Sequence, residues 1–114
     1  MKITMELLEA WSACQEGIDW YGERPELEGA EHVIVCAALD ADHQPAWSAW
    51  VRLAVASRLE DQTRLFEMRT DEDWWVRVTV ASRLEDQTIL AEMRNDKSAW
   101  VRRTVASRLE ELSK

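Results

Sequence analysis

The stretch VASRLEDQT stands at positions 55–63, returns at 80–88, and opens a third time as VASRLEELS at 105–113. A catalytic site needs its constellation of groups once. A stacked surface needs the same residue at the same place in every layer, so a returning phrase points to stacking. Worked outward, the alignment brings Trp50, Trp75 and Trp100 into register, then Val51, Val76 and Val101, then Arg52, Arg77 and Arg102, with a period of 25 residues. Periods of roughly 20–50 residues mark stacked supersecondary units.

Each copy reads as a helix followed by a shorter one. Ser48, Asp73 and Ser98 stand two residues before the tryptophans and are N-cap types, because a short side-chain oxygen can accept from the free N–H groups of a first turn. Val51, Ala54, Val55 and Leu59 then recur at helical spacing, as do Val76, Thr79, Val80 and Leu84, and Val101, Thr104, Val105 and Leu109. Asp61 and Asp86 are expected to cap the second helices, which carry Leu65, Phe66 and Met68 or Ile89, Leu90 and Met93. Arg69 and Arg94 suit the C-terminal ends of those helices, where the dipole favours a cation. One such unit cannot bury both its apolar faces, whereas neighbours stacked in register can.

The rest of the composition agrees with one helical domain. All three glycines and both prolines lie in the first 45 residues, so the remainder lacks the punctuation of a β-rich fold. The fold class expected is all-α. A chain of 114 residues buries roughly two-thirds of its unfolded surface if compact. No apolar run nears the ~20 residues of a membrane span, and no charged-then-apolar leader opens the chain, which predicts a cytoplasmic protein. In that reducing setting Cys14 and Cys36 are expected to be free, partly buried thiols.

The segment Asp71-Glu72-Asp73-Trp74-Trp75-Val76-Arg77, followed by Val80-Ala81, resembles the D-x-D-x-x-V-R…A pattern of HEAT-like repeats. The short period and the phrase VRxxVASRL are closer still to the bacterial leucine-rich repeat variant, a compact HEAT-like relative. Asp96 and Val101-Arg102 keep the pattern; the first copy departs from it, with Ala46-Trp47-Ser48 before Val51-Arg52. The resemblance covers residues 46–112 and implies a right-handed α-solenoid used for binding. Some members of the variant family carry an N-terminal iron–sulfur cluster held by cysteines, and two cysteines do not support one here. The Ala13-Cys14…Gly17…Trp20-Tyr21 opening resembles small proteins of phages and other mobile elements. The organisation expected is an acidic helical cap over 1–45, with helices at 4–21 and 28–39, then three repeats over 46–114 in one continuous domain.

Charge is the second signal. Residues 1–48 carry ten acids against Lys2 and Arg24, while 49–114 carry twelve of each sign, so the whole net charge of −8 resides in the first segment. Such asymmetry suggests an interaction surface. Glu6, Glu9, Glu16, Asp19 and Glu23 are too many uncompensated carboxylates for a cap alone, since like charges repel within the helices that carry them.

Other constellations are open to two readings. Arg52, Arg77 and Arg102, with Arg103 beside them, form either a cationic stripe or a set of structural pairs with turn aspartates such as Asp71 and Asp96, the latter being what the resemblance implies. Arg58, Arg83 and Arg108 fall near the middle of the apolar face. An unpaired cation there would cost several kcal/mol, so each is expected to pass the end of its helix or meet a carboxylate. Trp50, Trp75 and Trp100 either pack between layers or leave ring surface for a partner. Trp47 and Trp74 lie outside the register and are the better partner contacts. His32 and Cys36, four apart, could with Cys14 and His43 offer four metal ligands, but that spacing is weak beside paired C-x-x-C motifs; no metal and no cofactor are expected. No nucleophile elbow, metalloprotease motif or phosphate-cradling loop appears, and no catalytic residue is assigned.

These readings predict a non-enzymatic protein-interaction module, a monomer or small homo-oligomer. Its partner is a protein with a basic surface, met through Glu6, Glu9, Glu16, Asp19 and Glu23. Phage inhibitors of host nucleic-acid-binding systems, anti-CRISPR proteins among them, work through such acidic faces. The alternative surface is Trp47, Trp74, Arg52, Arg77, Arg102 and Arg103 on the repeats. Direct nucleic-acid binding along the arginines is the runner-up, disfavoured by the acidic balance because duplex affinity comes mainly from excess cations.

Overall fold

The computed structural model describes the whole chain, Met1–Lys114. It is all-helical: 68% of residues are in helix, no strand forms, and the one β-type pairing is an isolated bridge between Lys2 and Glu31. No helix is long and apolar enough to cross a membrane. The chain divides into two compact units, Met1–Val55 and Ala56–Lys114. That division falls inside the first copy of the repeat, whose register starts at Ala46.

The first unit holds α1 (Met5–Ala10), α2 (Gln15–Gly22), α3 (His32–Ala41) and α4 (Pro45–Ala56, its last residue already in the second unit). The single helix expected over 4–21 is thus two. Trp11 ends α1 and Ser12 turns left-handed at φ 60°; Ser12 N–H then bonds the carbonyl of Glu9, and Ala13 N–H that of Leu8. This is a Schellman ending, normally built on glycine, with serine in the left-handed place. α3 closes in the same way, with His43 at φ 57° and Gln44 N–H returning to the carbonyl of Leu39. Pro45 then starts α4 at once, its fixed φ suiting a first turn.

Ser48 is therefore not the expected cap. It lies one turn inside α4, fully buried, where its hydroxyl accepts from Arg52 Nη1 at 2.6 Å. The N-terminal strand-like stretch is tied down by Tyr21, whose hydroxyl lies 2.9 Å from the carbonyl oxygens of both Ile3 and Leu27 and shares its one proton between them. Burial, and then the nearby Glu28 carboxylate, push the Tyr21 phenol up to about 12. Glu28 itself accepts from Met5 N–H at 3.1 and 3.2 Å and so closes the first turn of α1.

The second unit holds α5 (Gln62–Glu67), α6 (Trp74–Arg83), α7 (Gln87–Glu92) and α8 (Ala99–Leu112). Asp61, Asp73 and Asp86 each accept two backbone N–H groups of the turn they start, as N-caps do. Ser98 occupies the corresponding place before α8 without a side-chain bond. α6 and α7 both pack on α8. Leu65, Val76, Val80, Leu84, Leu90, Val101 and Val105 form a core closed to solvent.

VASRLEDQT supplies the second unit with core residues and with partners for its helix ends. Its Val, second Ala position and Leu (Val80, Ala81 and Leu84) are core. Its Arg does not seek a carboxylate first. Arg83 donates to the carbonyl of Ala56, and Arg108 Nε to that of Leu84 at 3.0 Å, with Glu111 an added partner at 3.3 Å. Helix ends leave carbonyls without intrahelical partners, and these arginines satisfy them from one repeat onward. The Asp caps the short helix. Gln62 reaches forward, donating to the Arg83 carbonyl at 3.1 Å and accepting from Glu85 N–H at 3.0 Å.

Candidate interaction surfaces

The arginines at 52, 77 and 102 do not form one open stripe. Arg77 is 5% exposed. Its Nε and Nη2 donate to the two Asp96 carboxylate oxygens at 2.9 and 3.2 Å, and its Nη1 to the carbonyls of Asp71 and Glu72 at 2.7 and 3.1 Å. Burial alone would raise the Asp96 carboxyl, but the hydrogen bonds from Arg77 and from Ser98 N–H outweigh it and hold the group below its ordinary value. Arg102 repeats one part of this arrangement, its Nη1 donating to the Asp96 carbonyl at 2.6 Å as Arg77 does to that of Asp71. Of the alternative surface, then, Arg77 is enclosed, Arg52 is half-buried against Ser48, and Arg102 and Arg103 are exposed.

Aromatics on the second unit are more accessible than the register alone indicated. Trp75 and Trp100 are 53% and 59% exposed, more than the out-of-register Trp74 at 39%. Trp74 and Trp75 meet edge to face at 5.0 Å, and the Arg103 guanidinium lies 5.4 Å from the Trp100 ring centre. Exposed indoles beside arginine have the composition of binding hot spots.

In the first unit the five carboxylates singled out by charge are all exposed. Asp19 accepts from Gln15 Nε2 at 2.8 Å, and Glu23 stands 3.8 Å from Arg24. Glu6, Glu9 and Glu16 have neither ion pair nor side-chain hydrogen bond, in contrast to Glu28, Glu31 and Asp42, which hold the unit together. Asp42 accepts from Trp20 Nε1 at 2.7 Å and from Arg24, whose guanidinium also lies 4.0 Å over the Trp20 ring.

Sequence reasoning missed a cavity of about 320 Å³ in this unit. Leu8 of α1, Gly17, Trp20 and Tyr21 of α2, Val35 and Leu39 of α3, and Trp47, Trp50 and Val51 of α4 wall it, with Ser12 and Cys14 from the α1–α2 break. Trp47 therefore faces this cavity. Trp50 lines it and also meets Trp11, ring centres 6.3 Å apart. No charged side chain borders it. Cys14 is exposed and Cys36 buried, neither in a disulfide, and Cys14, His32, Cys36 and His43 are not gathered into a ligand cluster.

No family model, curated protein or solved structure matches the chain.

Proposed function

We propose that the chain is a non-enzymatic protein-interaction module, a short HEAT-like α-solenoid with an acidic helical cap, whose α1–α2 face binds a basic surface on a macromolecular partner. The observation that carries this reading is a division of labour among carboxylates. In the second unit Asp61, Asp73, Asp86 and Asp96 cap helices or pair with Arg77. In the first, Glu6, Glu9 and Glu16 make no ion pair and no side-chain hydrogen bond, Glu6 and Glu16 serving only the dipoles of the first turns they stand in, while ten acids stand against three bases over Met1–Val55. Idle like charges on neighbouring turns destabilise the helices that bear them. An opposite charge arriving from outside relieves that repulsion, speeds association and makes it salt-dependent. An inhibitor from a phage or mobile element that occupies the nucleic-acid site of a host protein, as anti-CRISPR proteins do, fits this chemistry.

The test is capture of partners from host lysate at low and moderate salt. Wild type is compared with a variant carrying Gln at Glu6, Glu9 and Glu16 and Asn at Asp19. Loss of a basic partner by the variant supports the reading. Retention of the same partner moves recognition to Trp75, Trp100 and Arg103, the second reading that their exposure favours. Direct binding of DNA or RNA by the purified wild type would replace both with the nucleic-acid alternative.

A further inference from the structure

The cavity in the first unit has the make-up of a receptor for one side chain. Its volume of about 320 Å³ sits at the low end of the roughly 300–1,000 Å³ that ligand sites occupy, and apolar and aromatic walls are what such sites have. Two of its four aromatics have their polar atoms engaged, Trp20 Nε1 with Asp42 and the Tyr21 hydroxyl with two carbonyls. No charged side chain stands on its wall, so a charge inserted there would find no counter-ion, and the apolar and aromatic lining favours an apolar group. Outside the cavity the opposite holds. Exposed Glu9 follows Leu8, exposed Glu16 precedes Gly17, and the unit as a whole repels anions.

Gly17 supports this. A glycine inside a helix costs up to ~1 kcal/mol relative to alanine. A Cβ on Gly17 would stand 3.4 Å from Cys14 Sγ and 4.0 Å from Trp47 Cδ2, in ordinary contact, so alanine would fit. A longer side chain would grow into the space that Gly17 lines. What the glycine leaves is room.

We infer that the cavity receives a bulky apolar side chain from a cationic segment of a protein partner, with flanking Lys or Arg side chains meeting the carboxylates of α1 and α2. The inference rests on the acidic face being a recognition surface and adds what that surface grips. The probes are three acetylated, amidated pentapeptides, Lys-Lys-Phe-Lys-Lys, Lys-Lys-Gly-Lys-Lys and Gln-Gln-Phe-Gln-Gln, titrated into full-length protein and followed by NMR of the indole N–H groups. The first peptide is expected to shift the Trp47 and Trp50 signals. The other two should bind more weakly by about tenfold or more, the value of burying one large apolar side chain or of removing the charge attraction. Gly17→Leu should erase the difference between the Phe and Gly peptides while leaving salt-sensitive binding of both. Equal affinity of the two lysine peptides for wild type overturns the cavity and leaves the acidic face standing. Equal affinity of the lysine and glutamine Phe peptides overturns the inference together with the acidic-face reading, as does binding of none. Indole binding as tightly as the first peptide makes this a small-molecule site and overturns the inference. The comparison in wild type decides the matter even if Gly17→Leu does not fold.

Discussion

Arg77 and Asp96 face each other across two contacts of 2.9 and 3.2 Å, with side chains only 6% and 11% exposed. They join the start of α6 to the turn before α8, one repeat later. Because Asp96 also accepts Ser98 N–H and lends its carbonyl to Arg102, a single residue organises the entry to the last helix.

Removing the carboxylate strands the guanidinium. Breaking a buried pair from one side typically costs about 3–5 kcal/mol, and Asp96→Asn should approach the lower figure, since Arg77 keeps two backbone carbonyls. Chemical denaturation of the two proteins checks it. The pH dependence has a defined sign. Asp96 has a lowered folded-state value, so its stabilisation is complete above the ordinary 3.8 and is lost as pH falls through the lower folded value. The wild type should therefore lose stability more steeply than Asp96→Asn as pH falls from 3.8 towards that lower value, and in parallel with it below.

Tyr21 titrates in the opposite direction. Its folded value near 12 stands above the ordinary 10.0, so the stabilisation is present in full below 10 and disappears as pH rises through 12. Tyr21→Phe removes the proton shared by Ile3 and Leu27 and leaves two buried carbonyls underused, a loss of about 1–2 kcal/mol at neutral pH. Melting curves between neutral and strongly alkaline pH should converge for the two proteins.

The two left-handed helix endings predict gains. A residue with a Cβ pays roughly 1–2 kcal/mol to sit in that region, partly offset for glycine by its freer unfolded chain. His43→Gly should raise stability by about 0.5–1 kcal/mol, and Ser12→Gly similarly. Unchanged or lower melting temperatures in both would show that the side chains are held there by contacts worth more than the strain.

These same positions explain what could be read in advance. VASRLEDQT was legible because several of its residues return to one job: Val55, Val80 and Val105 are core, Arg83 and Arg108 meet carbonyls, and Asp61 and Asp86 cap helices. The break at Ser12 was not, because a Schellman turn is normally announced by glycine and here carries serine. Ser48 looked like a cap by analogy with Asp73; Pro45 moved the helix start a turn earlier and buried it. The cavity had no local signal at all. Its walls come from four helices, and only packing brings Leu8, Gly17, Leu39 and Trp50 together.

Register also fails to predict the energetics of the tryptophans. Trp50 and Trp100 occupy the same repeat position, yet Trp50 is half-buried against Trp11 whereas Trp100 is 59% exposed with only Arg103 over its ring. A fully buried aromatic costs about 3–5 kcal/mol when cut to alanine; Trp50→Ala, half-buried, should lose about 2 kcal/mol by the same measure. Trp100→Ala removes a ring that already faces water and one exposed cation–π contact, so its cost should stay within about 1 kcal/mol. Urea titrations of the two variants separate the cases. Equal losses would mean that Trp100 is covered in solution, which would itself mark the second unit's indoles as an interface.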